Sequence, residues 1–213
     1  MVADLVSVSS ALFDKTSRWF DRAKAALLGD LPCSRGCSHC CVGVFPVTLL
    51  DRQEIQRGLR VLSSEERQDI VRRAVEQTRL MEGDVPELAH DWFIDGWRDR
   101  DTDALVERYR ELPCPALGSD GTCGVYAFRP LACRSMGIPS EVDGLVYGAC
   151  AVQTSVPVVR LSRSLRQEED RLIDEEAQQL ACLRNQRGVE GEELFLPYAF
   201  VPEIGEKPTV EMA

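Results

Sequence analysis

A chain of 213 residues with 44% hydrophobic side chains is long enough to bury a real core, so it needs no metal merely to fold. Its formal charge of -10 excludes general electrostatic binding to nucleic acid or to an anionic membrane, both of which require a surplus of Lys and Arg. The opening Met1-Val2-Ala3-Asp4-Leu5 has no basic n-region and no apolar run approaches transmembrane length, which predicts a soluble, cytoplasmic protein.

In chain order, residues 4–28 read as an amphipathic helix, because Leu5, Val8, Leu12, Phe13, Trp19, Phe20, Ala23 and Leu27 recur at helical spacing. Gly29 and Pro32 end it, and the first cysteine group follows in a turn-rich stretch. Thr48 with Asp51 has the form of an N-terminal cap and Ser63 with Glu66 that of a capping box, predicting helices near 48–61 and 64–82. The segment 84–99 carries Trp92, Phe93 and Trp97 among acids and reads as aromatic anchoring onto the core. A shorter helix is predicted over 101–111. Residues 114–150 are loop-rich, with Asp143-Gly144 between Val142 and Leu145 predicting a small hairpin that delivers Cys150. A charged helix follows over 162–187, stopped by Gly188, and the tail from 197 is either peripheral or pinned by Leu196, Tyr198 and Phe200. The fold expected is mainly α with a cysteine-rich, loop-rich metal core and a small β-hairpin. Its parts are an N-terminal helix (1–32) packed on the core, a cysteine-cluster core (33–150) with a helical insertion (48–111), and a C-terminal helix and tail (151–213).

Eight of the nine cysteines fall into one pattern: Cys33-x3-Cys37-x2-Cys40-Cys41, then Cys114-Pro115, Cys123, Cys133-Arg134 and Cys150. Thiolate is the side chain suited to zinc and to iron–sulfur iron, and cytosolic thiols stay reduced, so metal chemistry is favoured over a disulfide framework. The later four cysteines are too widely spaced to close a site locally, so the fold has to interleave them with the early group. Eight ligands fit two four-thiolate centres, or one four-thiolate cluster with auxiliary thiols. Cys40 and Cys41 would point about 100° apart on a helical course, which suits either service to different metals or one of the two standing behind the ligands as an auxiliary thiol. Zinc and iron–sulfur centres take the same ligands. The absence of tandem C-x2-C pairs, with C-x3-C-x2-C and a Cys-Pro step present, favours an iron–sulfur cluster with zinc as the alternative.

The first triad also has the spacing of S-adenosylmethionine radical chemistry, but no succession of βα units follows, and a radical-enzyme barrel is not expected. Arg35, Arg129 and Arg134 lie inside the cysteine segments, where an anionic centre needs donors. Cys182 lies outside the pattern and reads as a small buried apolar residue. His39 reads as a polar neighbour of the site or as a merely exposed histidine rather than a ligand, and His90 has no partner motif.

The whole arrangement, Cys33-x3-Cys37-x2-Cys40-Cys41, Cys114-Pro115-x-Leu117, Gly121-x-Cys123-x-Val125-Tyr126-x2-Arg129-Pro130-x2-Cys133-Arg134 and Cys150, resembles the YkgJ-like cysteine-cluster family of zinc- or iron-chelating proteins, over about residues 33–150. The resemblance implies the eight cysteines as metal ligands, with Tyr126, Arg129 and Pro130 as its structural signature. Pro130 would set the backbone before Cys133, and Arg129 would donate to thiolate or inorganic sulfide. The same block occurs in flagellin lysine-N-methylases, but this chain is shorter than that architecture, and methylase activity is not carried over from the block. The first functional expectation is therefore an iron–sulfur protein in electron transfer, redox sensing or maturation of a protein partner. Its alternatives are a protein-modifying enzyme using cluster-assisted methyl transfer and a zinc-stabilised interaction module. Neither a dinucleotide fingerprint nor a phosphate-binding loop nor a Ser-His-Asp pattern supplies an ordinary enzyme.

Overall fold

Two hydroxyl side chains set the start of the central helices. The computed structural model describes residues 2–27, 37–142, 145–147 and 160–202. In it, the Asp51 amide donates to Thr48 Oγ1 (3.3 Å) while the Thr48 amide donates to Asp51 Oδ2 (3.1 Å), opening α2 (Leu49–Val61). Ser63 and Glu66 form the same reciprocal pair at the start of α3 (Ser64–Asp84). Each box satisfies amides that helix geometry leaves without an intrahelical acceptor.

Around this pair stand α1 (Val2–Ala26), α4 (Asp99–Arg108), α5 (Leu131–Ser135), α6 (Arg163–Arg187) and α7 (Leu196–Phe200), so the described chain is mainly helical, as its periodicity predicts. Gly188 ends α6 at φ +64°, with its amide bonded to Arg184 O at 2.9 Å, the left-handed stop that a residue without Cβ takes at little strain. The five-residue α5 was not expected within the loop-rich region. It is too short to show a hydrophobic period, and Pro130 just before it is the only local mark. The expected hairpin forms from β2 (Ser140–Val142) and β3 (Leu145–Tyr147), with Val142 opposite Leu145. Its connection, Asp143-Gly144, lies outside the described residues. Two further strands pair the early part of the chain with its late part: β1 (Pro46–Thr48) lies antiparallel to β4 (Glu193–Phe195), with Val47 opposite Leu194.

That pairing sets the position of the late segment. Phe195, Tyr198 and Phe200 are at most 1% exposed, and α7 packs on α2 and α3. At roughly 1.5–3 kcal/mol for each large apolar side chain removed from water, this stretch is a principal part of the core. Of the two sequence expectations for the tail from 197, pinned holds through residue 202; residues 203–213 lie outside the described residues. Trp92 meets Tyr198 at 5.4 Å between ring centroids and Trp97 meets Phe195 edge-on at 5.7 Å, the aromatic anchoring read from segment 84–99. On the other flank α1 packs on α6, with Trp19 Nε1 donating to Leu165 O at 2.9 Å. Among the described residues no helix is long and apolar enough to cross a membrane.

Gly58 of α2 lies where a Cβ would stand 2.7 Å from Phe128 Cβ, whereas a Cβ at Gly83 of α3 would meet nothing within 4 Å. Alanine gains about 1 kcal/mol of helix propensity at either position, but overpacking at Gly58 costs about 1–3 kcal/mol. Gly83→Ala is therefore expected to raise the unfolding midpoint in denaturant and Gly58→Ala to lower it.

A cavity of about 270 Å³ between α1, α2, α5 and α6 is lined by Asp51, Glu169, Glu176 and Glu193. Burial pushes Glu176 up to about 7, helped by the neighbouring charges of Asp51, Glu193 and Glu192 and opposed by the Thr48 hydroxyl. Because the native carboxyl binds its proton more tightly than the unfolded one, this group favours folding increasingly as pH falls from about 7 toward the ordinary 4.5. Glu176→Gln should thus stabilise the protein by roughly 1–2 kcal/mol at pH 8, with the gain vanishing near pH 4 in a pH series of thermal unfolding.

Candidate metal centre

The early and late cysteines meet because the backbone laces their segments together. The Cys114 amide donates to Cys41 O (2.7 Å) and the Gly43 amide to Leu112 O (2.8 Å), flanking an antiparallel bridge between Val42 and Pro113. Gly43 sits at φ +104° with the Arg110 carbonyl oxygen 3.3 Å from where a Cβ would lie, so a side chain there would strain the lacing. Gln77 of α3 reaches over and donates to Pro113 O at 2.8 Å. On the early side, a 3₁₀ turn over His39–Cys41 sets two thiols side by side.

The late thiols are placed by tight local turns. Leu117 bridges Cys123, the Gly118 amide bonds to Thr122 O (2.8 Å), and Asp120 Oδ1 accepts from the Thr122 amide (3.0 Å). A 3₁₀ turn over Tyr126–Phe128 then leads through Pro130 into α5, which carries Cys133. Asp51 holds that helix in register: besides closing its own capping box, it accepts the Leu131 amide at 2.7 Å, two residues before Cys133. The sequence marked Asp51 only as a cap. Its second role depends on a partner eighty positions away and leaves no local sign.

Cys37, Cys40, Cys41, Cys114, Cys123 and Cys133 line one cavity of about 250 Å³, together with Tyr126 and Arg129. All six are free thiols. Cys33 and Cys150, expected as further ligands, lie outside the described residues, as does Arg35. Cys182 is not buried as expected. It stands exposed on α6, accepting from Gln186 Nε2 at 3.3 Å, because it falls on the solvent side of that helix. His39 and His90 are exposed.

Electrostatics couples the thiols. Cys40 is held down at about 6, mainly by the hydrogen bond from Cys41, with Arg129 and His39 helping and burial opposing. Cys41, the donor of that bond, is pushed up correspondingly. Burial pushes Cys114 up to about 12 and raises Cys123 and Cys133, each further penalised by charge on neighbouring cysteines. Among the described residues no three His, Cys, Asp or Glu side chains form a group close enough to hold a metal ion as they stand. Metal binding to these sulfurs would take them as thiolates and displace their protons. The donor set fits a soft or borderline metal such as iron or zinc and not magnesium or calcium.

The two arginines expected as donors differ. Arg129 lines the cavity, stacks on the Tyr126 ring at 4.1 Å, and its charge lowers both Cys40 and Cys123. Its Nε is buried with no hydrogen-bond partner. Arg134 does not face the sulfurs. It is 5% exposed and donates to Ser17 Oγ (2.6 Å), Phe13 O (3.4 Å), Ala127 O (2.7 Å) and Arg129 O (2.9 Å), with Glu54 at 3.5 Å. Its direction follows from α5, which turns residue 134 toward α1 while Cys133 faces the cavity. Arg134 thus ties α1 to the turn that presents Arg129.

A helical scaffold that converges thiols and a guanidinium on one cavity defines a cysteine-cluster metal protein. A family profile named CxxCxxCC and described as a putative zinc- or iron-chelating domain matches residues 32–151, and the chain belongs to that family. No curated protein and no solved structure matches it.

Cys37→Ser and Cys123→Ser should each lose bound metal and unfold at lower temperature, since metal binding contributes to folding free energy. Cys182→Ser should keep the wild-type metal content. Elemental analysis of the three variants beside the wild type checks this, and full metal retention by both cavity variants would exclude these ligands.

Proposed function

We propose that this cavity holds an iron–sulfur centre on ligands drawn from Cys33, Cys37, Cys40, Cys41, Cys114, Cys123, Cys133 and Cys150, and that the protein uses it to carry electrons to, or report redox state to, a protein partner. The observation that carries the reading is the cavity itself: six thiols surround about 250 Å³, more donors and more room than one four-coordinate zinc ion takes. The centre would supply one-electron chemistry, and inorganic sulfide would occupy part of the space. The chain's own contribution is to orient the thiolates, to keep one wall of the cavity apolar through Phe45, Val125 and Leu196, and to place the Arg129 guanidinium beside Cys40 and Cys123.

Anaerobic purification followed by iron, zinc and acid-labile sulfide analysis tests the reading. Iron with sulfide and a reversible transition in spectroelectrochemistry is the expected result. Arg129→Ala should lower the reduction potential, because a nearby positive charge favours the reduced, more negative state. Stoichiometric zinc without sulfide and without a redox transition would replace the iron–sulfur reading with a structural zinc site.

A further inference from the structure

A groove of about 530 Å³ lies between the 87–97 segment and residues 189–191 after α6, and it shares no residue with the thiol cavity. Its apolar walls are the rings of Phe93 and Trp97, both only partly buried. Each ring is held from behind. Phe93 is bridged through its backbone to Leu194, and it stands so close to Gly191 that a Cβ there would fall 2.1 Å from Phe93 Cγ. Trp97 rests edge-on against the buried Phe195. The groove is therefore preformed, and a ligand entering it would have few protein groups to order. At Gly96, on the same groove, a Cβ would meet nothing within 4 Å, and the backbone there has no positive φ.

Four carboxylates, Glu87, Asp91, Asp95 and Glu190, surround the rings, and no described Lys, Arg or His lines the groove. Two of the four serve the backbone: Asp91 accepts the Phe93 amide (3.0 Å), and Asp95 accepts those of Glu192 (2.9 Å) and Glu193 (3.1 Å). Glu87 and Glu190 make no ion pair among the described residues, whereas Glu192 close by pairs with Arg184. Acids alone would be an ordinary solvated face. Acids grouped around two fixed rings complement a cation that is flat, weakly hydrated and rich in N–H donors, which is a guanidinium rather than an ammonium. The chain's net charge of -10 adds attraction of the same sign at longer range. We propose that this groove docks an arginine-bearing segment of a partner protein, the guanidinium lying against Phe93 and Trp97 and donating to Glu87 and Glu190. The acids stand exposed at the surface, so the partner's backbone can run on to either side of the arginine. Segment 84–99 would thus anchor the core with one side of its aromatic rings and present a contact surface with the other. The inference stands apart from the metal-centre reading.

The test is an NMR titration of the full-length protein with the capped peptide Gly-Ala-Arg-Ala-Gly, following the Trp97 indole signal. Matched peptides carry lysine, or the neutral isostere citrulline, in place of arginine. The arginine peptide is expected to shift the Trp97 signal saturably with a Kd of about 1 mM, the scale a single exposed side chain can reach. The lysine peptide should bind more weakly and the citrulline peptide should not saturate. Gly96→Leu fills the groove while keeping every charge, and it should abolish saturation by the arginine peptide. Glu87→Gln combined with Glu190→Gln should weaken that peptide about fivefold. Thermal unfolding and metal content of these variants should match wild type, because the substituted positions lie outside both the core and the thiol cavity. No saturable shift by about 10 mM arginine peptide would overturn the proposal, as would equal binding of the lysine or citrulline peptide. A folded Gly96→Leu protein that binds normally would also overturn it. Should that variant unfold early, the glutamine double variant decides, and unchanged affinity there rejects the site. Failure of the metal-centre reading would leave all of these outcomes unaltered, since none is read through the metal.

Discussion

The bond from the Cys114 amide to the Cys41 carbonyl, at 2.7 Å, joins the two halves of the site, and most of the architecture serves to hold it. The halves are separated by the whole of α2, α3 and α4, so closing that loop carries an entropic penalty that only packing can offset. The capping boxes of α2 and α3 fix the length and direction of the intervening helices. Gln77 reaches back from α3 to Pro113, and α7 fills the space between α2 and α3. A loosening of any of these would appear first as a drift between Cys41 and Cys114, because the lacing itself is only a bridge and two flanking bonds.

Charge inside the molecule follows the same order. Arg134 is buried, yet its donors have acceptors in α1, in the 127–129 turn and at Glu54, which also pairs with Arg57 at 2.6 Å. A buried cation with that many partners is specific in geometry even where its net contribution to stability is small. Asp51 is the anionic counterpart, fully enclosed and hydrogen-bonded to two different elements. Together they orient α5 from both ends, so that Cys133 and Arg129 face the cavity while Arg134 faces away. The thiols differ: burial and neighbouring sulfurs disfavour charge on several of them, which a bound cation would offset.

Much of this was legible in the amino-acid order and some was not, for reasons specific to the residues. Long amphipathic helices such as α1 and α6, and boxes such as Thr48–Asp51 and Ser63–Glu66, write their signals within a few positions, and those elements stand where the spacing puts them. The cysteine pattern, read with its glycines and Pro130, indicated convergence because no local group could close a site. The β1–β4 pairing, the burial of Phe195, Tyr198 and Phe200, and the second hydrogen bond of Asp51 depend on partners far along the chain, and three-residue strands carry too little alternation to announce themselves. Arg134 shows the limit most plainly. Adjacent to a cysteine in sequence, it points away from it in space, since neighbouring positions on a helix diverge by about 100°.

The pairing of Pro46–Thr48 with Glu193–Phe195 has a consequence for biosynthesis. On the ribosome, helices α1 to α4 and every cysteine of the cavity emerge before the segment that seals the core, and the dominant contacts are of long sequence separation. Such a topology closes late and slowly compared with a bundle built from neighbours. Through that interval the nascent thiols remain open to solvent on a scaffold that lacks its central aromatic plug. Metal delivered during synthesis would meet a pliable set of ligands, while metal arriving after residue 200 has docked would meet half-buried thiols already set in place.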